Sequence, residues 1–73
     1  MDAKEAVRLT TYVGVRYGVG VCATPERIGT SDEYCLAIHL RGNPQYERVY
    51  EFKRSACERA IDTLWLIIFP DIV

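Results

Sequence analysis

The stretch "TYVGVRYGVGVC", residues 11–22, decides the fold. It reads in two ways. At a period of two, Val13, Val15, Tyr17, Val19, Val21 and Ala23 stand on one side and Gly14, Arg16, Gly18, Gly20 and Cys22 on the other. That is the alternation of a half-buried strand, and Thr, Val and Tyr suit a pleated surface. At the helical period, Ala6, Thr10, Val13 and Tyr17 form a stripe, but Gly14, Gly18 and Gly20 would each cost about 1 kcal/mol in a helix interior. The strand is the expectation: a short helix over Ala3 to Leu9, then a strand from near Tyr12, bent at Gly18. The alternative runs the helix to Arg16, caps it with Gly18 and leaves a strand of only Val19 to Thr24.

Outward from this stretch, "ATPERIGTSDE" is a connection rich in breakers. "YCLAIHLR" (34–41) alternates, with Tyr34, Leu36, Ile38 and Leu40 against Cys35, Ala37, His39 and Arg41. "GNPQ" is turn chemistry. "YERVYEFK" (46–53) alternates again, Tyr46, Tyr50 and Phe52 opposing Glu47, Val49, Glu51 and Lys53. "SACE" at 55–58 has the spacing of a capping box. Cys57, Ala60, Ile61, Leu64, Trp65 and Ile68 follow as a helical stripe that Pro70 ends, giving a helix from about Ala56 to Ile68.

A register whose residue numbers sum to 57 sets Val21 against Leu36 and Val19 against Ile38 on one face, and Cys22 against Cys35 on the other. Tyr50 and Phe52 join the apolar face if a three-residue loop, Gly42–Pro44 or Asn43–Gln45, keeps parity. The expected fold is α+β in the order αβββα: a three-stranded antiparallel meander, a C-terminal helix packed on one face and a short N-terminal helix at an edge or over the second face. Residues 1–73 form one small domain. The element order resembles that of double-stranded-RNA-binding domains, but their lysine-rich start to the last helix has no counterpart, since "RSACERA" is mixed in charge. The resemblance is of element order alone.

Composition bounds the function. The chain has 73 residues, so it buries only about 60% of its unfolded surface and gains from any partner that completes its core. Net charge is −1 with mixed signs, giving no global attraction to nucleic acid or anionic lipid. "MDAKEAVR" carries charges where a signal peptide would be apolar. No window reaches the roughly 18 apolar residues of a membrane span. Three cysteines fit a reducing compartment, so the expected location is the cytoplasm, of a cell or of a host cell.

The candidate sites are few. Cys22, Cys35, His39 and Cys57 match no zinc spacing, and Cys35 and His39 lie about 13 Å apart along one strand at about 3.3 Å per residue. His39 is two rungs from either cysteine in the expected register, so no thiol–base pair forms. The expectation is no enzyme, no cofactor, no metal and no small-molecule substrate. Arg16 and Arg41, opposed on the second sheet face, form a like-charge pair that an anion would relieve; with Arg48 they are the candidate contacts to nucleic acid. That face lacks base-stacking aromatics and carries Glu47 and Glu51.

The C-terminal helix carries more apolar surface than one face can hide. Trp65, Leu66, Ile67 and Phe69 are the candidate protein interface, to a second copy in a homodimer or to another protein; the bland alternative folds Ile72, Val73 and the first helix over them. The chain thus reads as a non-enzymatic protein-binding module, a small regulator, inhibitor or accessory subunit of viral or mobile-element type. The rival reading is a nucleic-acid-binding domain.

Overall fold

The computed structural model describes residues 1–70. The order is αβββα: α1 Ala3–Tyr17, a 3₁₀ turn Gly18–Gly20, β1 Val21–Arg27, β2 Tyr34–Leu40, β3 Tyr46–Val49 and α2 Arg54–Ile68. The strands form one antiparallel sheet in the order β1-β2-β3. No helix among the described residues is long and apolar enough to cross a membrane.

The helix, not the strand, claims Tyr12 to Tyr17. Its N-terminus is a capping box: the Asp2 carboxylate accepts from the Glu5 amide at 2.8 Å, and the Glu5 carboxylate accepts from the Asp2 amide at 3.0 Å. Ala6, Leu9 and Val13 form the buried stripe. Only Gly14 lies in the helix interior. Gly18 terminates it at φ 66°, a left-handed conformation natural to glycine, with its amide donating to the Gly14 carbonyl. The threefold glycine penalty therefore shrinks to one.

The lost residues are recovered at the other end of β1, which runs through Pro25 to Arg27. An edge strand tolerates proline because one ladder position may forgo its donor. The register pairs Val21 with Leu40, Cys22 with His39, and Glu26 with Cys35. Strand pairing has slid from the expected register, yet parity is unchanged. Val21 and Ala23 still share a face with Leu36, Ile38 and Leu40. Cys22 and Cys35 are no longer opposite each other.

In β3 the parity does flip. Leu36 pairs with Val49 and His39 with Tyr46. The turn is longer than three residues: the Asn43 amide donates to Leu40, Gly42 takes φ 79°, and the Asn43 side chain accepts from the Gln45 amide. Val49 thus enters the core, while Tyr46, Tyr50 and Phe52 are exposed.

Both helices cover the same sheet face. Leu9 and Val13 join Val21, Leu36, Ile38, Leu40, Val49, Cys57, Ile61 and Leu64 in one core. The first helix packs mainly over the edge strand β1 on this same face, and not over the second face. Of the expected α2 stripe, Cys57, Ala60, Ile61 and Leu64 are buried, Ile68 is partly buried and Trp65 is exposed. The Ser55–Glu58 box does not form: α2 starts at Arg54 after an N-cap Lys53 with no side-chain bond. Glu58 instead accepts the Tyr12 hydroxyl at 2.7 Å.

Candidate protein-binding surface

With both helices on one side, the molecule presents two broad faces: the bare back of the sheet and the outer surface of the helix layer. The back of the sheet is largely self-satisfied. Glu26 on β1 and Arg48 on β3 form an ion pair at 2.9 Å. These strands flank β2, so the pair spans two strand spacings and passes over the middle strand. Beneath it Cys35 and Ala37 are buried although no helix covers them. Nearby, the His39 ring packs on Tyr46 with centroids 4.5 Å apart. His39 Nδ1 lies 3.2 Å from the carbonyls of both Leu40 and Asn43, to which its N–H can donate.

The basic candidates do not converge. Arg16 is on α1, with its guanidinium 5.5 Å from the Tyr17 ring centroid. Arg41 sits in the turn after β2. Arg48 is on the sheet and already neutralised by Glu26. The opposed Arg16–Arg41 pair does not exist, because Arg16 never enters a strand. Glu47 lies on the Ile38 side of the sheet rather than the back. Glu51 turns to Lys53 and Arg59. An aromatic ring, Tyr46, stands where none was expected.

The cysteines are likewise rearranged. Cys22 faces His39 across the ladder, not Cys35. Burial is the first cause that pushes the Cys35 thiol up from its ordinary value, with the Glu26 carboxylate adding to it. Burial does the same at Cys57, aided by Glu58. Both are held as thiols, the unreactive form. Among the described residues no cluster of three or more His, Cys, Asp or Glu side chains is placed to hold a metal ion.

The outer helix surface is where apolar area remains uncovered. Trp65, Leu66, Ile67 and Phe69 are 46, 55, 47 and 41% exposed. Trp65 and Phe69, one turn apart, stack with ring centroids at 5.2 Å. A helix advances about 100° per residue. Leu66 therefore neighbours this pair, with Asp62 one turn before it and Glu58 one turn before that. Ile67 is about 200° round from Trp65 and falls on the opposite flank, with Thr63. The sequence named four anchors, and the structure gathers three of them. Ile72 and Val73, the other candidates to cover this surface, lie outside the described residues.

A second apolar feature escaped the sequence reading. Val7, Thr11, Tyr12 and Val15 of α1 line an open groove of about 1090 Å³ with Phe52 and Arg54, and Arg8 and Arg16 flank it. Arg54 lies over the Tyr12 ring at 4.8 Å. Among the described residues, Arg8, Arg16 and Arg54 have no carboxylate within ion-pair distance, whereas Arg27, Arg48 and Arg59 do. The signal that could have found the groove is Val7, Thr11 and Val15 at i, i+4, i+8, visible only once residues 11–17 are read as helix.

Comparison with protein-family models, curated proteins and solved structures finds no match.

Proposed function

We propose that this chain is a non-enzymatic protein-binding module, a small regulator, inhibitor or accessory subunit that docks through the outer face of α2. One observation carries the reading: Trp65, Leu66 and Phe69 form a contiguous exposed apolar patch on a helix whose other face already fills the core. Covering such area stabilises a complex by about 25 cal/mol per Å² before association costs. A buried aromatic flanked by aliphatic surface is also the usual centre of an energetic contact. The arginines proposed for nucleic acid lie on three separate surfaces, which favours the protein reading over that rival.

Trp65 is the only tryptophan, so its fluorescence reports directly on the patch. The emission of the isolated chain at high dilution is expected to be that of a half-exposed indole. It should shift to shorter wavelength as protein concentration rises or a protein partner is titrated in, and Leu66→Asp should abolish the shift. Emission that moves equally in the Leu66→Asp variant would remove the patch from the binding account.

A further inference from the structure

We propose that the partner of the α2 patch is a second copy of this chain, seated on the arginine-flanked groove of α1. This rests on the protein-binding reading and names its occupant. The argument is one of complementarity. The outer face of α2 carries Glu58 and Asp62 in line with Trp65, Leu66 and Phe69: an acidic end followed by an apolar end. The α1 groove carries Arg8, Arg16 and Arg54 around Val7, Val15 and Phe52. Each surface lacks what the other supplies.

The two surfaces also adjoin. Glu58 accepts the hydroxyl of Tyr12, and the same Tyr12 ring lines the groove beneath Arg54. A two-fold axis passing near Tyr12 and Glu58 lays the α2 stripe of each copy into the α1 groove of the other. The contact is then closed and isologous: both copies are satisfied and no surface is left to propagate a fibre. Arg59, the remaining basic residue of α2 beyond Arg54, does not oppose this. It stands two turns before Leu66 and beside Asp62, but its guanidinium is already paired with Glu51 at 4.0 Å. Helix layer would pack on helix layer, leaving both bare sheet backs outward.

The test is sedimentation equilibrium of the full chain and of four variants: Leu66→Asp, Arg16→Asp, Asp62→Arg and the double variant Arg16→Asp/Asp62→Arg. Circular dichroism checks that each is folded, and all substituted positions are exposed. The expected result is a wild-type dimer, a dissociation constant raised about tenfold or more by either charge reversal, and recovery in the double variant. The single-variant penalty should shrink in high salt. A wild-type dimer weakened by Leu66→Asp but indifferent to both charge reversals overturns the groove as receptor and leaves the patch reading standing. A dimer indifferent to Leu66→Asp removes the patch as well. A strictly monomeric wild type overturns self-docking and reserves the patch for a different protein. A gel shift of a short RNA duplex or a single-stranded DNA oligonucleotide, lost in Arg16→Asp, would assign the groove to nucleic acid instead and overturn the proposal.

Discussion

Residues 13–17 and residues 36–40 carry the same apolar alternation and adopt opposite structures. Val13, Val15 and Tyr17 are spaced like Leu36, Ile38 and Leu40. In β2 all three alternating residues are buried, Ile38 completely. In α1 the same spacing scatters around the helix: Val13 is fully buried, whereas Val15 is 83% exposed. The difference lies outside the pattern. β2 is the central strand, with a hydrogen-bonded neighbour on each side. Residues 13–17 continue a helix already nucleated ten residues earlier by the Asp2–Glu5 box and the Ala6–Leu9–Val13 stripe. Once nucleation is met, adding a residue costs little, so even valines and one glycine propagate it.

The comparison can be broken by deletion in the core. Ile38→Ala should lose about 2–5 kcal/mol, the cost of truncating a fully buried aliphatic side chain. Urea denaturation would read it as a lower midpoint at unchanged slope. A loss under half a kcal/mol would mean that β2 is not the centre of the core.

The glycines sharpen it next. Gly18→Ala should cost about 1–2 kcal/mol, because its φ of 66° is one that a side chain resists. Gly14→Ala should do the reverse and stabilise by up to about 1 kcal/mol, since nothing lies within 4 Å of the added methyl. If residues 11–17 were a strand, the opposite signs at these two glycines would have no reason to appear in the thermal midpoints.

The thiols provide a pH-dependent test of the core that β2 and α2 share. Cys35 and Cys57 have pKa values raised by burial. The folded chain therefore holds these protons more tightly than the unfolded chain does. Their contribution is fully present below the ordinary thiol value and is lost as pH rises through it toward the folded values. Urea midpoints should fall on the alkaline side, less steeply in Cys57→Ala. Native alkylation followed by mass spectrometry should label Cys22 well before the other two.

The smallest effect is the most discriminating. Val15→Ala should leave stability unchanged or raise it by up to about 0.6 kcal/mol, because an exposed helical valine gives way to the best helix former. A loss approaching that of Ile38→Ala would restore Val15 to a sheet.

Much of this was legible in the sequence, and the failures share one cause. The element order, the meander and the apolar sides of β1 and β2 follow from alternation, and parity survives a slide in register. The slide itself was invisible. It depends on where α1 stops, which Gly18 decides by taking a positive φ that ends the helix. Parity in β3 failed because the turn length was set by Asn43 and Gly42 bonding within the loop, not by strand pattern. The Trp65–Leu66–Phe69 patch was legible because too many large apolar residues crowd one helix. Its acidic lead-in was hidden by assigning Glu58 to a cap. The α1 groove was hidden by assigning Val15 to a strand.

Nuclear Overhauser contacts across Tyr12–Cys22 test the central assignment most directly. Strong sequential amide–amide contacts from Tyr12 to Tyr17, together with cross-strand contacts that pair Cys22 with His39, are the expected result. Strong contacts from each α-proton to the next amide through Val13–Tyr17, with Cys22 beside Cys35, would contradict the helix, the register and the α1 groove together.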